Sequence, residues 1–374
     1  MGGLDRFIGF DAATGILQAE AGVCLSDILR LVVPKGWFLP TTPGTRFVTL
    51  GGAIANDVHG KNHHSAGTIG RHVRALGLLR SDEGSLTLTP QSDPALFSST
   101  IAGLGLTGII EWVELQLVRI GSAYLEVETV PYERLEVFWA LAEESIDRHE
   151  HTVAWIDCTS SGERRGRGIF QRANWLADGS FVAHDDRSWK RVPIEAPGFA
   201  LNRFTVQAFN SAYYHINRAG AGRSRQHYAP FFYPLDGIRD WNKLYGRSGM
   251  LQYQCVVPSG QQVVAVDALL KTITDSREVS FLAVLKTFGD LASPGLLSFP
   301  RAGATLALDF PFRSERTLSL LARLDAIVAT AGGAVYPAKD GRIPPEMFRR
   351  SFPRWQELAK DPAINSDFWR RVSR

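Results

Sequence analysis

The sequence is poor in the residues that would place it in several specialised protein classes. Its 374 residues include three cysteines, Cys24, Cys158 and Cys255, too few and too scattered for a disulfide framework or a cysteine metal site. We predict that they are buried or inert thiols in a reducing compartment. The net charge of +3, from 41 basic and 38 acidic residues, is too small to favour nucleic acid as the partner.

Long apolar runs are also absent. No stretch reaches the length that spans a bilayer, and the N-terminal residues lack the basic and apolar regions of a signal peptide. These absences predict a cytoplasmic protein, with peripheral contact to the inner membrane left open. The basic tail residues Arg370, Arg371 and Arg374 are candidates for such contact, although a solvated tail is the simpler explanation.

The length and composition predict two folded domains. Hydrophobic residues make up 45% of the chain and charged residues 21%, which is typical of a globular protein. The first third reads as mixed α/β, with Ser26 as a predicted helix N-cap, Gly36 as the stop and a half-buried strand over residues 108–118. Helical stripes then begin near Leu135, Val263 and Ser314, among strand-like runs at 152–158, 251–257, 280–287 and 305–310. This irregular mixture predicts an α+β domain built on an antiparallel sheet.

The most informative segment is glycine-rich and runs from residue 40 to residue 73, PTTPGTRFVTLGGAIANDVHGKNHHSAGTIGRHV. Four of its glycines permit close backbone approach to a ligand: Gly44, Gly51, Gly52 and Gly60. The run from Gly52 to Asn56 is predicted to open a helix whose free N–H groups face an anion such as a pyrophosphate. A tight structural turn explains the same glycines equally well, and the residues alone leave both alternatives open.

Three histidines, His59, His63 and His64, lie within this segment. The i, i+4 spacing of His59 and His63 would suit a metal only on a helix, and Gly60 disfavours a helix there. We therefore predict no metal site. For His63 and His64, hydrogen bonding within a loop is as good an explanation as catalysis.

The string GGAIANDVHGKNHHSAGTIGRHVRALGLL resembles the flavin-binding stretch of the decaprenylphosphoryl-β-D-ribose oxidases, which belong to the vanillyl-alcohol-oxidase or PCMH-type superfamily. The similarity continues in family order over nearly the whole chain. The further blocks are GLTGII at 105–110, YPLD at 233–236, LQYQ at 251–254, residues 281–289, SFP at 298–300, DFP at 309–311 and YPAKD at 336–340.

This resemblance implies a two-domain α+β fold of the PCMH type with an antiparallel-sheet substrate domain. The expected parts are an FAD-binding domain at 1–121, a substrate domain at 122–333 and a C-terminal segment at 334–374 that returns to the FAD domain. Family members begin with a further glycine-rich loop around the FAD pyrophosphate, and no such loop precedes Gly15. We therefore expect an N-terminally incomplete FAD domain and FAD bound non-covalently.

The resemblance also implies the roles of individual residues. His59 would lie against the flavin, and Lys339 would lie beside both the isoalloxazine and the substrate. The residues expected to line FAD are Pro43, Gly44, Thr45, Val48, Thr49, Gly51, Gly52, Ala55, Asn56, Val58, Gly60, Asn62, Ile109 and Tyr336. The residues expected to face the substrate are Trp155, Phe232, Gln252, Gln254, Lys286 and Ala307. Ala307 stands where mycobacterial members have cysteine, and Phe232-Tyr233 replaces a Tyr-His pair.

These assignments suit the oxidation of a secondary alcohol, which loses a hydride to flavin N5 and a proton to a base. A desolvated Lys339 can act as the base, or it can stay protonated and stabilise the reduced flavin, and the sequence leaves both roles open. Gln252 and Gln254 share a strand face, so they either read sugar hydroxyls or form a solvated face. Lys286 interrupts an apolar strand, where an unpaired lysine is costly to bury.

The implied activity is FAD-dependent oxidation of a sugar alcohol, with C2 of decaprenylphosphoryl-β-D-ribose as the expected position. This would be the oxidative half of an epimerisation that a partner NAD-dependent reductase completes. Two alternatives stay open: an aldonolactone or polyol oxidase on the same scaffold, and a flavin-free binding protein that has lost catalysis. The expected substrate is a lipid-linked or small sugar.

Overall fold

The computed structural model describes residues 3–185, 190–198, 200–339 and 341–374. Asp340, the last residue of the YPAKD block, lies outside them. The strands are β1 (Phe7–Asp11), β2 (Ile16–Glu20), β3 (Trp37–Phe38), β4 (Val73–Arg80), β5 (Gly84–Leu88), β6 (Ile109–Gln116), β7 (Val118–Arg119), β8 (Tyr124–Tyr132), β9 (His151–Ile156), β10 (Gly168–Trp175), β11 (Lys190–Arg191), β12 (Gly222–His227), β13 (Ile238–Arg239), β14 (Met250–Pro258), β15 (Ala283–Phe288), β16 (Gly303–Pro311) and β17 (Ala334–Val335). The helices are α1 (Leu25–Val32), α2 (Leu50–Ala55), α3 (His63–Ala66), α4 (Pro94–Thr100), α5 (Leu135–Ser145), α6 (Arg203–Ala219), α7 (Tyr228–Phe232), α8 (Gln262–Ser276), α9 (Glu315–Thr330), α10 (Pro345–Ser351) and α11 (Asp367–Val372).

The N-terminal part of the chain is built on a five-stranded antiparallel sheet in the order β1-β2-β6-β4-β5. Strand β6 alternates as the sequence predicts, with Val113 and Leu115 fully buried. Apolar side chains of this sheet pack with those of α1, α2 and α4 into a first core.

Helix α1 begins two residues before the predicted position. Cys24 is its N-cap residue, and Ser26 lies inside the helix with its hydroxyl 2.8 Å from Nε2 of His184. The prediction that Ser26 caps the helix is therefore wrong, because its side chain forms a tertiary contact. Gly36 follows a short 3-10 turn in the left-handed conformation, with φ of 78°, as predicted for the stop.

A second, eight-stranded antiparallel sheet has the order β12-β8-β10-β9-β15-β16-β14-β17. Strands β9, β14, β15 and β16 occupy the four predicted runs, and α5, α8 and α9 occupy the three helical stripes. Val263 is exposed, so it is not part of the core face predicted for α8. Helices packed on an antiparallel sheet confirm the mixed α+β class.

The central strands of this sheet have one apolar face and one polar face. On β14, Tyr253 and Cys255 point into a second core with α8 and α9, so Gln252 and Gln254 point the other way. Strand pairing places Asp309 opposite Gln252 on that same polar face. Lys286 also lies on this face, because it pairs with Thr305 on β16. Thr305 in turn pairs with Val256, which points to the same side of β14 as Gln252 and Gln254. This polar face forms one wall of the candidate site.

Three sets of contacts join the two sheets. Buried Asp57 accepts hydrogen bonds from the hydroxyls of Ser293 and Ser298. The backbone N–H of Arg46 donates to Asp236 at 2.9 Å, which ties the glycine-rich segment to the YPLD block. The C-terminal segment reaches both parts, because β17 pairs with β14 while Asp361 accepts hydrogen bonds from the N–H and hydroxyl of Ser81 at 2.7 and 2.6 Å.

Helix α6, which the sequence patterns did not predict, leaves a row of apolar side chains in solvent. Phe209, Tyr213 and Ile216 follow at i, i+4 and i+7 on one face, where Ile216 is 70% exposed, while Phe204, 81% exposed, lies on a different side of the helix. Val206, Asn210 and Tyr214 form the narrow buried side of α6, so these apolar residues lie outside it. Across the described ranges, no helix is both long and apolar enough to cross a membrane.

Candidate active site

His59 lies where the glycine-rich segment meets the polar face of the eight-stranded sheet. It is buried and forms an isolated β-bridge with Thr68. Its Nε2 atom lies 3.0 Å from the amide nitrogen of Gln254, which also donates to the hydroxyl of Thr305 at 3.1 Å. Its Nδ1 atom lies 3.5 Å from Nζ of Lys286.

These neighbours restrict the protonation of His59. Burial, followed by the charge of Lys286, lowers the pKa of His59 well below its ordinary value, so the ring is neutral at pH 7. A neutral imidazole donates through one nitrogen and accepts through the other. Because the amide nitrogen of Gln254 faces Nε2 and donates to it, Nε2 accepts and the ring proton lies on Nδ1, where Nζ of a neutral Lys286 can accept it. The tautomer of His59 and the protonation state of Lys286 are therefore coupled.

Three lysines bring positive charge to this region: Lys61, Lys286 and Lys339. Burial lowers the pKa of Lys286 to about 7, and burial together with the charge of Lys286 lowers the pKa of Lys61 to about 7. Lys61 donates to the carbonyl of Phe231 and lies 4.2 Å from the centre of its ring. Within the described ranges, no carboxylate offsets the burial of Lys61 or Lys286.

The carboxylate of Asp309 interacts electrostatically with Lys339. Burial lowers the pKa of Lys339 and Asp309 opposes that shift, while burial raises the pKa of Asp309 itself. The amide of Gln252 donates to Oδ1 of Asp309 at 3.0 Å. Sequence reasoning assigned no role to Lys61 or Asp309, although Lys61 follows Gly60 directly and the Asp309 side chain shares the face of Gln252.

Aromatic rings pack around His59. The ring of Phe288 lies 4.7 Å from that of His59, and Phe299 and Tyr336 stack on each other at 4.5 Å. The hydroxyl of Tyr336 donates to the carbonyl of Asn56 at 3.1 Å, and its N–H donates to the carbonyl of Gln254 at 2.9 Å. Tyr336 thus fixes the glycine-rich segment against β14.

The helix predicted to open at Gly52 begins at Leu50, and its first N–H groups are already engaged. The expectation that free N–H groups here face a pyrophosphate is therefore wrong. Thr49 is the N-cap, with its hydroxyl accepting from Gly52 at 3.2 Å, and the neighbouring chain accepts the preceding donors. The remaining bonds are Leu50 N–H to Val23 O, Gly51 N–H to Ala21 O and Ala53 N–H to Thr49 O.

Two asparagines predicted to line FAD use their amides within the segment. Asn62 donates to the carbonyl of Pro40 at 2.8 Å and accepts from the hydroxyl of Thr41 at 3.1 Å. Asn56 donates to the carbonyl of Gly52 at 2.8 Å. Their side chains therefore help to organise the loop, and their contact with FAD stays a prediction.

The remaining predicted residues fall in different surroundings. Trp155 and Ala307 lie on the polar face of the eight-stranded sheet, both half-buried. Phe232 is buried in the first core, 5.4 Å from the ring of Phe38, so its packing does not support the predicted role in the substrate pocket. Ile109 is 44% exposed at the start of β6.

The two neighbouring histidines also differ from each other. His64 Nε2 lies 2.8 Å from the carbonyl of His149, as expected for a hydrogen-bonded loop histidine. His63 makes no side-chain hydrogen bond within the described ranges, and its ring packs 4.4 Å from that of Phe288, so that expectation is wrong for His63. In the same ranges, no three His, Cys, Asp or Glu side chains are grouped to hold a metal ion.

The arrangement suits a flavin. Lysines without a carboxylate partner fit a ring system that gains negative charge on reduction. A Cβ atom added at Gly44 would meet nothing within 4 Å, so this backbone is open to a flat ligand. At Gly60, by contrast, the added atom would lie 2.5 Å from the hydroxyl of Thr41, so that glycine is required by the loop itself.

Comparison with known proteins identifies the ligand class. A family model described as FAD binding domain matches residues 1–89. The decaprenylphosphoryl-beta-D-ribose oxidase of Mycolicibacterium smegmatis is 33% identical over 390 residues, which cover 100% of this chain and 84% of that protein. An uncharacterized protein in the mprA 5′ region of Streptomyces coelicolor is 31% identical over 376 residues, 94% of this chain and 100% of that protein. A putative D-arabinono-1,4-lactone oxidase of Neurospora crassa is 28% identical over 118 residues, 31% of this chain and 21% of that protein.

The FAD-binding match and the oxidase relatives define the chain as an FAD-dependent oxidoreductase. Within that class it belongs to the decaprenylphosphoryl-β-D-ribose oxidase family, as the sequence motifs predict. FAD is therefore its cofactor, and the flavin-free alternative is not supported.

The open backbone at Gly44 yields a first prediction. The Cβ atom that Gly44→Val adds meets nothing within 4 Å in the protein, so this substitution should leave the fold intact while weakening FAD binding at least about tenfold by blocking close approach. Fluorescence titration of the flavin-free protein with FAD measures this affinity. Gly260→Val is the matched control, because its added Cβ also meets nothing within 4 Å. Equal FAD affinity in the two variants would show that FAD does not lie against Gly44.

The buried charge of Lys286 yields a second prediction. The pKa of Lys286 is about 7 in the folded chain, against an ordinary lysine value of 10.5. Between these pH values the unfolded chain binds more protons than the folded chain, so the free energy of unfolding rises with pH across that window. Lys286→Met should therefore stabilise the flavin-free protein at pH 7 by up to a few kcal/mol, since each pKa unit corresponds to about 1.4 kcal/mol. This gain in the free energy of unfolding should disappear toward pH 10, as Lys286 loses its proton in the unfolded chain as well.

Urea unfolding at several pH values measures this difference. Lys271→Met is the control, because Lys271 is 58% exposed on α8 and pairs with Asp275. A Lys286→Met protein that is less stable than wild type at pH 7 would contradict the idea that this buried lysine is uncompensated.

Proposed function

We propose that the protein oxidises the C2 hydroxyl of a polyprenylphosphoryl-β-D-ribose to a ketone. The observation that carries this proposal is the polar sheet face, where Gln252, Gln254 and Lys286 lie beside His59 in an FAD-dependent oxidoreductase. The relative of 33% identity over the whole chain is named as an oxidase of such a compound, which supports the ribose lipid as substrate.

The proposed chemistry divides between cofactor and protein. FAD, when bound, accepts the hydride from the substrate carbon. The hydroxyl proton passes to Nζ of Lys339, whose pKa is lowered by burial, so that a neutral amine is available as the base. Gln252 and Gln254 orient the sugar by hydrogen bonds to its hydroxyls. Lys286 lies next to His59, and its protonated form, which an anionic reduced flavin favours, holds positive potential where electrons arrive.

The exposed apolar row on α6 favours a lipid-linked substrate over a free sugar. Tyr213 of this helix lies 4.7 Å from Trp155, at the edge of the polar face. Phe209 lies 6.1 Å from Tyr213, and the exposed Ile216, one helical turn further along, extends the same surface. We propose that the polyprenyl chain leaves the sugar pocket across this row and that the same surface makes peripheral contact with the membrane.

The keto product requires a second enzyme for net epimerisation. We propose that a partner NAD-dependent reductase returns a hydride to C2 from the opposite side, which inverts that centre. The precursor would then serve arabinan synthesis. A free aldonolactone is the second candidate substrate, supported by the partial match to a putative D-arabinono-1,4-lactone oxidase.

Anaerobic reduction of the FAD-loaded protein tests the proposal. Farnesylphosphoryl-β-D-ribose should bleach the flavin absorbance at least about tenfold faster than D-arabinono-1,4-lactone or free D-ribose, because it alone fills both the sugar face and the apolar row. Mass spectrometry should identify the 2-keto product, two hydrogens lighter than the substrate.

A paired variant controls for the apolar row. Phe209→Ser with Ile216→Ser should slow reduction by the farnesyl substrate, while Ile8→Ser, an exposed apolar position on β1, should not. Faster bleaching by the lactone would favour the second candidate, and absence of bleaching by the ribose lipid would overturn the proposal.

A further inference from the structure

Two buried polar groups near the polar face have no use in the chemistry described above. They are Oδ2 of Asp309 and the hydroxyl of Tyr245, and neither has a hydrogen-bond partner within the described ranges. The two residues are only 3% and 4% exposed. A buried polar atom without a partner is costly, so such groups are retained where a ligand completes them.

Asp309 is held firmly at the end of β16. Its Oδ1 atom accepts from the amide of Gln252 at 3.0 Å, and its N–H donates to the hydroxyl of Ser280 at 3.2 Å. Its side chain shares the sheet face of Gln254. One carboxylate oxygen is thus fixed by the protein while the other stays free on the same side as the predicted substrate residues.

Tyr245 joins the same wall through the residue after Ser280. Its ring stacks on Phe281 at 5.4 Å, and the carbonyl of Phe281 accepts from the indole N–H of Trp155 at 3.1 Å. The charge of Asp309 adds to burial in raising the pKa of Tyr245, which places the carboxylate near the phenol. Asp309, Tyr245 and Trp155 are therefore parts of one surface.

The chemistry of this surface differs from that around His59. A carboxylate oxygen accepts and a phenol both donates and accepts, which matches a hydroxyl group. A negative carboxylate disfavours a phosphate, whereas the lysines near His59 favour an anion. A sugar ring lying across the polar face would therefore direct a hydroxyl toward Asp309 and keep its phosphate away from it.

We propose that Asp309 and Tyr245, together with Gln252, form a subsite that reads a sugar hydroxyl other than the one oxidised. These residues then determine which sugar is accepted and do not take part in proton or hydride transfer. The inference rests on the proposed oxidation of a sugar, and it assigns the C3 or C5 hydroxyl of the ribose to this subsite.

Binding of non-oxidisable ligands to the FAD-loaded full chain tests the subsite. The probes are farnesylphosphoryl-2-deoxyribose, which has no C2 hydroxyl, and its 2,3-dideoxy and 2,5-dideoxy counterparts. Wild type should bind the first at least about tenfold more tightly than one of the dideoxy compounds, because losing that hydroxyl leaves buried groups unpaired. Tyr245→Phe and Asp309→Asn should lose this preference while FAD affinity and Tm change little.

Tyr132→Phe is the matched control. Its hydroxyl is also buried without a partner in the described ranges, but its ring packs against Phe138 in the second core. This variant should keep the wild-type preference. If Tyr245→Phe and Asp309→Asn also keep it, or if wild type shows no preference, the subsite is overturned.

The outcome is separable from the proposed function. A wild type that is bleached by farnesylphosphoryl-β-D-ribose but whose variants keep the preference supports the oxidation and overturns the subsite. If wild type prefers the ligand with the 3- or 5-hydroxyl, both variants lose this preference, and farnesylphosphoryl-β-D-ribose does not bleach the flavin, the subsite is supported and the oxidation is overturned.

Discussion

The site depends on buried positive charge that the described part of the chain does not neutralise. Lys61 and Lys286 are held in a low-dielectric region, and their lowered pKa values record the cost. Such an arrangement is unfavourable for stability alone, so it is retained where an anionic partner restores the balance. A flavin that becomes negative on reduction is such a partner, and the protonation state of Lys286 is coupled to the tautomer of the neighbouring His59.

The fold creates this site by strict alternation along a few strands. Tyr253 and Leu308 fill the core on one face, so Gln252 and Asp309 must share the other. The glycine-rich segment then lies against that face, held by Tyr336 from the C-terminal part of the chain. Residues far apart in sequence thereby form one surface that is cationic near His59 and carries a carboxylate near Trp155.

Much of this was predictable from the sequence, and the failures have identifiable causes. The four strands, the three helices and the role of Gly36 follow from periodicity and caps. Ser26 was misassigned because its hydroxyl contacts the distant His184. The helix at Gly52 was misassigned because Thr49 and the more distant Val23 and Ala21 already engage its first N–H groups. Phe232 was assigned by motif position, but its ring fills the first core. Tyr245 and Asp309 became visible only once pairing and burial showed their unpartnered atoms.

The midpoint potential of bound FAD tests most directly whether uncompensated charge organises the site. Reduction adds negative charge beside the lysines, so the reduced form should bind more tightly than the oxidised form. The bound potential should therefore exceed that of free FAD by at least about 30 mV, which corresponds to a tenfold difference in affinity. A bound potential equal to or below that of free FAD would contradict this account.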